Sequence, residues 1–532
     1  MKTNLTRCFA AIALSAGLAI PATLFAQAGQ DSGHPTHHHY KLIDLGTFGG
    51  PKSNMNQGGD NGSWSDAIGN NQGTFTGWAD TPRPDPLIDN PNFCFVGDCY
   101  VTHAFQWQNG VRKDLGVLPG GASSATAWIS ANGLIAGTSQ NGETDPLFSP
   151  WIQERAVLWQ NGKIVNLGTL PEGGYESGAA AVNSSGQVTG WAINTIPDPY
   201  SFGAVSPNFF QYQFYGPYQT RAFLWQNGVM RDLGTLGGPD AFPTAINELG
   251  QVTGFSYTSS TTNSNNGCYA VTLSNTPVQD PFFWDKDTGM IDIGTLGGTC
   301  GGPSGLNNRG QIVGASNLAG DQVTDAFLWD RARGLIDLGT LGGSSAEASA
   351  INDAGVVVGG SLLSGDVVGH AFLWDGKMHD LGAIPGDNYA YPFWINASGQ
   401  VVGNGGNDSV GHGFLWEGAG PIVDLDTLIS SNNGFSITEA AYINDQGEII
   451  GLGAPAGCDD TDTCGHDYLL IPCDEKHPGL EGCDYDLVDA TAAPQLPEPR
   501  YVSRETQPTP QSRRANRYRI SGLLPLRGRS AN

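Results

Sequence analysis

The sequence predicts an all-β fold built from repeated four-stranded units, and three observations carry that prediction. First, one pattern recurs along most of the 532 residues: Ile-Asn-x-x-Gly-x-Val-x-Gly, a variable stretch, Ala-Phe-Leu-Trp, a short turn, then Asp-Leu-Gly-Thr-Leu-Gly-Gly. Second, its tightest spacing is 44 residues, from Asn352 to Asn396. Four short strands and their turns occupy roughly 40–45 residues. Third, Gly supplies 76 residues without a Gly-X-Y period and charged residues only 14%, which favours turn-rich β structure and excludes collagen and long charged helices.

Each piece of the pattern has a physical reading. The Asn of the first turn stands near Asn71, then at Asn132, Asn183, Asn247, Asn307, Asn352, Asn396 and Asn444. Asn352-Asp353-Ala354-Gly355 and Asn444-Asp445-Gln446-Gly447 fit a type I turn closed by a left-handed Gly. The aromatic strand ends at Trp107, Trp159, Trp225, Trp284, Trp329, Trp374 and Trp416, with a degenerate eighth at Tyr468-Leu469-Leu470. Its apolar run does not alternate, so both faces should be buried. Gln-Asn-Gly after Trp107, Trp159 and Trp225, and Asp-Gly after Trp374, are hairpin signals, because both turn residues tolerate positive φ. The Asp-Leu-Gly element stands at Asp44, Asp114, Asn166, Asp232, Asp292, Asp337, Asp380 and Asp424. The Gly-Gly that follows it permits a sharp crossing to the next unit.

The two ends of the repeat region are complementary. Tyr40 to Gly46 is a last strand with no unit before it, and His466 to Ile471 is a third strand with no fourth after it. Pairing them closes a ring without an exposed edge. The reading is a single β-propeller over 40–474, with eight blades of four antiparallel strands. Seven blades is the alternative, because the first and last units depart most from the pattern.

His-Ala-Phe-Leu-Trp at 370–374 with Asp380-Leu381-Gly382, the His103-Ala104-Phe105 triplet, and Arg221-Ala222-Phe223-Leu224-Trp225 with Asp232 to Gly238 resemble the HAF-repeat family of extracellular bacterial proteins. The resemblance covers about 40–474. It implies a secreted or surface-exposed repeat protein and brings no settled catalytic residues.

The flanks carry an address. Residues 1–26 read as a signal peptide: Lys2 and Arg7 precede an apolar stretch from Cys8 to Phe25. Residues 27–39 form a His-rich linker with His34 and His37 to His39, read as solvated rather than metal-binding. Eight further cysteines pair by nearest neighbour as Cys94/Cys99, Cys268/Cys300, Cys458/Cys464 and Cys473/Cys483, with Cys483 in a C-terminal extension over 475–493. Zinc would want tighter spacing. Residues 494–532 form a basic, Pro-rich tail read as disordered, with eight Arg against two Glu on a chain of net charge −26. The acidic balance argues against nucleic acid, and beyond the signal no apolar run is long enough for a membrane span. The expected partners are a polysaccharide or a cell-surface protein, with the Arg tail touching an anionic envelope and the chain a monomer. Its expected location is extracellular or cell-surface, the periplasm being an alternative.

Function should lie where a unit departs from the period. The insertion at 193–220 holds Tyr200, Phe202, Phe209, Phe210, Tyr212, Phe214, Tyr215 and Tyr218. Such rings stack on sugars or anchor a partner, or else pack the loop onto the scaffold. A second insertion carries Asp80, Asp85 and Asp89, and Asp459, Asp460, Asp462 and Asp467 cluster near the C-terminal end. Neither cluster matches a full calcium or catalytic motif, and Asp285 to Gly289 reads as a hairpin turn. No phosphate loop, dinucleotide fingerprint or serine-nucleophile motif occurs in a fitting context, so no cofactor, metal or catalytic residue is assigned. The expectation is a secreted binding and interaction module. The alternatives are an extracellular carbohydrate-active enzyme (glycoside hydrolase or lyase), with carboxylates or Tyr converging at the ring's central mouth, and a structural envelope protein without a small ligand.

Overall fold

The computed structural model of the chain describes residues 36–55, 67–89, 94–198, 218–263, 276–407 and 411–489. Among them the strands come in fours, as antiparallel units of propeller-like form. Unit 1 spans 53–114, unit 2 124–166, unit 3 177–232 and unit 4 241–292. Unit 5 spans 297–339, unit 6 342–382 and unit 7 389–424. Unit 8 takes three strands from 436–472 and its fourth from Tyr40–Asp44, which pairs antiparallel with His466–Pro472. The expected pairing of the chain's two half-units is therefore present. Single parallel bridges, Gln279 to Cys300, Thr324 to Ser345 and Gly369 to Tyr389, join units 4 to 7.

The order of strands places the loops. Each first strand is the end strand of its unit, and from unit 2 to unit 8 it contacts the first strand of the next, so these strands line the inner side of the series. Because all four strands alternate in direction, first-to-second and third-to-fourth turns share one face. Second-to-third loops, where the insertions fall, share the other face with the unit-to-unit connections.

The motif residues explain themselves in place. Third-strand aromatics Phe105, Phe223, Phe282, Phe327, Phe372 and Phe414 are fully buried. Each lies over the second-strand glycine of Val-x-Gly. A Cβ on Gly359 would stand 2.0 Å from the Glu347 carbonyl and 2.8 Å from the Phe372 ring, so no other residue fits. The Asp of Asp-Leu-Gly accepts the amide of the glycine two residues on, as Asp232 does from Gly234 at 2.7 Å, and Gly234 has φ +88°.

The first turn joins the units. In unit 4, Asn247 Oδ1 accepts the Leu249 and Gln251 amides, closing its own turn. Its Nδ2 donates to the Asn307 carbonyl of unit 5 at 3.1 Å. The same bond runs from Asn183 to Asn247, Asn307 to Asn352, Asn352 to Asn396 and Asn396 to Asn444. It continues from Asn444 to Asn70 at 3.3 Å and from Asn70 to Ser130 at 3.1 Å. The first-unit residue, expected near Asn71, is Asn70. One expectation is corrected. In unit 2 the position belongs to Ser130, whose hydroxyl holds the turn, while Asn132 lies two residues on and reaches Ser184.

Three of the paired cysteines, Cys94–Cys99, Cys458–Cys464 and Cys473–Cys483, form disulfides. Cys300 is disulfide-bonded, and Cys268 lies outside the described residues. Among the described residues no helix is long and apolar enough to cross a membrane.

Asn247 is buried and bonded on both sides, so Asn247→Ala takes the acceptor from the Leu249 and Gln251 amides and leaves the Asn307 carbonyl with the Gly310 amide alone. Urea denaturation should show a loss of about 2–3 kcal/mol. Asn132→Ala, at an exposed site, should cost less than about 1 kcal/mol. Equal effects would contradict the relay.

Candidate functional site

The described members of the sequence-predicted candidates serve packing, turns and caps. Of the aromatic insertion, only Tyr218 is described. Its ring meets Phe148 edge-on at 5.6 Å and joins a buried cluster of Trp151, Trp191, Ile193, Phe255 and Tyr257. Tyr200, Phe202, Phe209, Phe210, Tyr212, Phe214 and Tyr215 lie outside the described residues. Asp80 is buried and accepts the Lys52 amide at 3.1 Å. Burial and the neighbouring Asp98 push its carboxyl up to about 8. Asp85 caps its own loop through the Leu87 and Phe95 amides, and Asp89 is exposed. Asp460 caps the short turn Thr461–Cys464. Asp285 accepts the Asp287 and Thr288 amides, which is a hairpin turn. His37 is buried against Glu417 at 2.7 Å, in a strand Thr36–His38 paired with Leu487–Asp489.

A different constellation lies on the innermost strands. In every unit one first-strand residue pairs with the residue just after the Val-x-Gly glycine. Around the series these are Asn54, Ala125, Gly178, Phe242, Gly302, Glu347, Tyr391 and Glu439. Cross-strand partners share a sheet face, so this level repeats one orientation from unit to unit. Its only charged members are Glu347 and Glu439, with Tyr391 between them. The level lies near the start of the first strand, toward the face that carries the insertions.

Glu347 is 4% exposed. The residue opposite it is Gly360, which leaves its face open, and Ser304 Oγ of unit 5 donates to Glu347 Oε1 at 3.3 Å. Tyr391 of unit 7 faces the same carboxyl. Burial raises the Glu347 pKa to about 7, against the pull of the Ser304 and Tyr391 hydroxyls, which favour the charged form. A carboxyl group balanced near neutral pH can both give and take a proton. Opposite Tyr391, Asn404 is 1% exposed and its Oδ1 has no hydrogen-bond partner among the described residues. Across the series Phe242 stacks on Phe255 at 5.6 Å.

Aligning the first strands on their glycines would have revealed this level, because Glu347 interrupts a run of small residues in Ser345-Ala346-Glu347-Ala348-Ser349.

A second recurrence concerns the residue before the aromatic strand, which faces the Asp of Asp-Leu-Gly. It meets that carboxylate through a histidine ring in His103–Asp114, His370–Asp380, His412–Asp424 and His466–Asp44, and through a guanidinium in Arg221–Asp232. Units 4 and 5 place Asp280 against Asp292 and Asp325 against Asp337 instead. Burial, then the facing carboxylate, pushes Asp280 up to about 7 and Asp325 up to about 6.

These shifts set a direction for stability. A carboxyl raised in the folded state binds more protons there than when unfolded. Its contribution is complete below the unfolded value near 4 and is lost as pH rises through about 6–7. The melting temperature should therefore fall between pH 5 and pH 8, and Asp325→Asn should reduce that fall while leaving the value near pH 4.5 unchanged. Scanning calorimetry showing the same slope in both proteins would contradict the pairing.

No family model matches the chain, and no curated protein matches it. Solved structures similar to it include the β-propeller domain of the Trilobed protease from Pyrococcus furiosus, at 9% identity over 68% of this chain and 96% of that one, TM-score 0.39. A puromycin-hydrolyzing peptidase of Mycobacterium tuberculosis is similar at 11% identity over 78% and 62%, TM-score 0.40. Porphyromonas gingivalis dipeptidyl peptidase 4 is similar at 10% identity over 60% and 48%, TM-score 0.35. The chain spans about half to three-fifths of the length of these two peptidases. The expectation of a binding and interaction module is not borne out by these comparisons, whose structures are propeller-bearing peptidases. In the chain itself, an innermost strand holds Glu347, a buried carboxyl whose pKa burial raises to about 7.

Proposed function

We propose that this chain is an exported carbohydrate-active enzyme, a glycoside hydrolase or lyase, with Glu347 as its general acid–base group. It works on a single closed eight-bladed β-propeller of the HAF-repeat kind. One observation carries the reading: Glu347 sits on an innermost strand, buried, with its pKa raised to about 7 and hydroxyls of two neighbouring units turned toward it. Closure is supported by the Asn444-to-Asn70 bond and by the pairing of Tyr40–Asp44 with His466–Pro472. Export is supported by the signal-like 1–26 and by the disulfides, which persist in oxidising compartments. The Arg-rich tail is then an envelope contact.

In this reading the fold holds a protonated carboxyl at a mouth formed by loops and unit connections. Glu347 donates to a leaving oxygen in its neutral form and withdraws a proton in its charged form. Ser304 and Tyr391 fix its orientation, and a carboxyl that titrates near 7 keeps both forms populated at neutral pH.

The test is turnover of laminarin, carboxymethylcellulose, starch, chitosan, polygalacturonate and alginate by the full exported chain, read as new reducing ends or unsaturated products. Glu347→Gln should lower turnover about 10²–10⁴-fold, as loss of a general acid–base group does. The melting temperature should not fall, because a neutral amide replaces a buried acid. The kcat/KM profile of the unsubstituted chain should show a limb near pH 7. No turnover on any of the six, or full activity in the Gln variant, would overturn the reading.

A further inference from the structure

The other charged residue at the Glu347 level remains to be placed. Glu439 stands on the first strand of unit 8, paired opposite Leu452, and is 9% exposed. Glu347 stands at the same level on unit 6, opposite Gly360. Between them the first strand of unit 7 presents Tyr391, opposite Asn404. The first strands of units 6, 7 and 8 are in successive contact. The level thus holds an acid, a phenol and an acid on three adjacent strands, while its other members are Asn54, Ala125, Gly178, Phe242 and Gly302.

A second observation at the same place points to a ligand. The Asn404 side chain is 1% exposed, shares a face with Tyr391, and leaves its Oδ1 without a partner among the described residues. Leaving a buried carbonyl oxygen unpaired costs about 1–3 kcal/mol. A hydroxyl donor arriving from a bound molecule would satisfy it. Hydroxyl-rich saccharides supply such donors, and the neighbouring acids have the chemistry to cleave the bond between two of their rings.

We propose that Glu347 and Glu439 form a two-carboxylate glycoside-hydrolysing site with inverting stereochemistry, in which Asn404 Oδ1 accepts a substrate hydroxyl. This rests on the reading of Glu347 as the acid–base group. The first strand of unit 7 stands between the two acids, and the assignment has a water molecule between base and sugar, as inverting enzymes do. The glycosidic C–O bond breaks as the Glu347 proton passes to the leaving oxygen. The water oxygen bonds to the anomeric carbon from the opposite side, and its proton passes to Glu439. The product is a hemiacetal of inverted configuration, and exchange with solvent returns the proton from Glu439 and reprotonates Glu347. No further reactant is needed.

Proton NMR of the first minutes of turnover on the same six polysaccharides tests this in the unsubstituted chain. The expected product carries the inverted anomer. Glu439→Gln should lower kcat at least 100-fold with KM little changed. Asn404→Ala should raise KM about tenfold, a lost hydrogen bond of about 1.4 kcal/mol. A retained anomer, an unsaturated product or a fully active Glu439→Gln variant would overturn the two-carboxylate assignment. Each of those results leaves the first reading standing if Glu347→Gln is inactive. Activity of both Gln variants would overturn both. The anomer measurement needs no variant, so it decides even where a substitution impairs folding.

Discussion

The architecture depends on one hydrogen bond made repeatedly: the side-chain amide of a turn asparagine to the backbone carbonyl of the equivalent residue in the next unit. Asn183, Asn247, Asn307, Asn352, Asn396 and Asn444 each make it at 2.9–3.3 Å. The carboxamide suits the task because its oxygen closes the turn that carries it while its nitrogen reaches outward. The bond therefore couples the local shape of each first turn to the spacing of neighbouring units. Where unit 2 has Ser130, a hydroxyl keeps the local half of the job and Asn132 supplies the reach. That division shows the two functions to be separable.

Fixing the first strands side by side brings together residues far apart in sequence. Glu347, Tyr391 and Glu439 lie 44 and 48 residues from one to the next. Each is an ordinary strand residue on its own. Their meaning comes from the constant level that the repeated glycine and the first-strand bulge impose. The tight approach of the Glu347 carbonyl to Gly359 is one instance, and seven units share it. The proposed site thus uses the repeat's regularity as a positioning device, with chemistry added by substituting three small or neutral positions. The cost is a buried carboxyl, which the protein meets by keeping it partly protonated at neutral pH and by turning two hydroxyls toward it.

Much of the strand plan could be read from residues. Asp-Leu-Gly announced a turn, and Asp232 with Gly234 shows why. Non-alternating Ala-Phe-Leu-Trp announced a strand buried on both faces, and Ala371 to Leu373 are buried. The complementary half-units announced the pairing of Tyr40–Asp44 with His466–Pro472. Asn132 misled because Asn is a good turn residue at more than one position of a turn, so a residue type alone did not fix register. The acid level was not read because nothing local marks it. Glu347 gains its raised pKa from burial among neighbouring units, against the pull of Ser304 one unit before and Tyr391 one after, and sequence proximity carries no trace of those contacts. The partners of His370 and His412 were hidden for the same reason, since the facing Asp belongs to another strand.

The account turns on the protonation of one side chain. With ¹³C-labelled glutamate, the carboxyl resonance lost in Glu347→Gln identifies Glu347, and a pH titration then reads its midpoint directly. A midpoint near 7 is the predicted result. A midpoint near the ordinary glutamate value of about 4.3 would contradict the account, because a permanently ionised carboxylate has no proton to give at neutral pH.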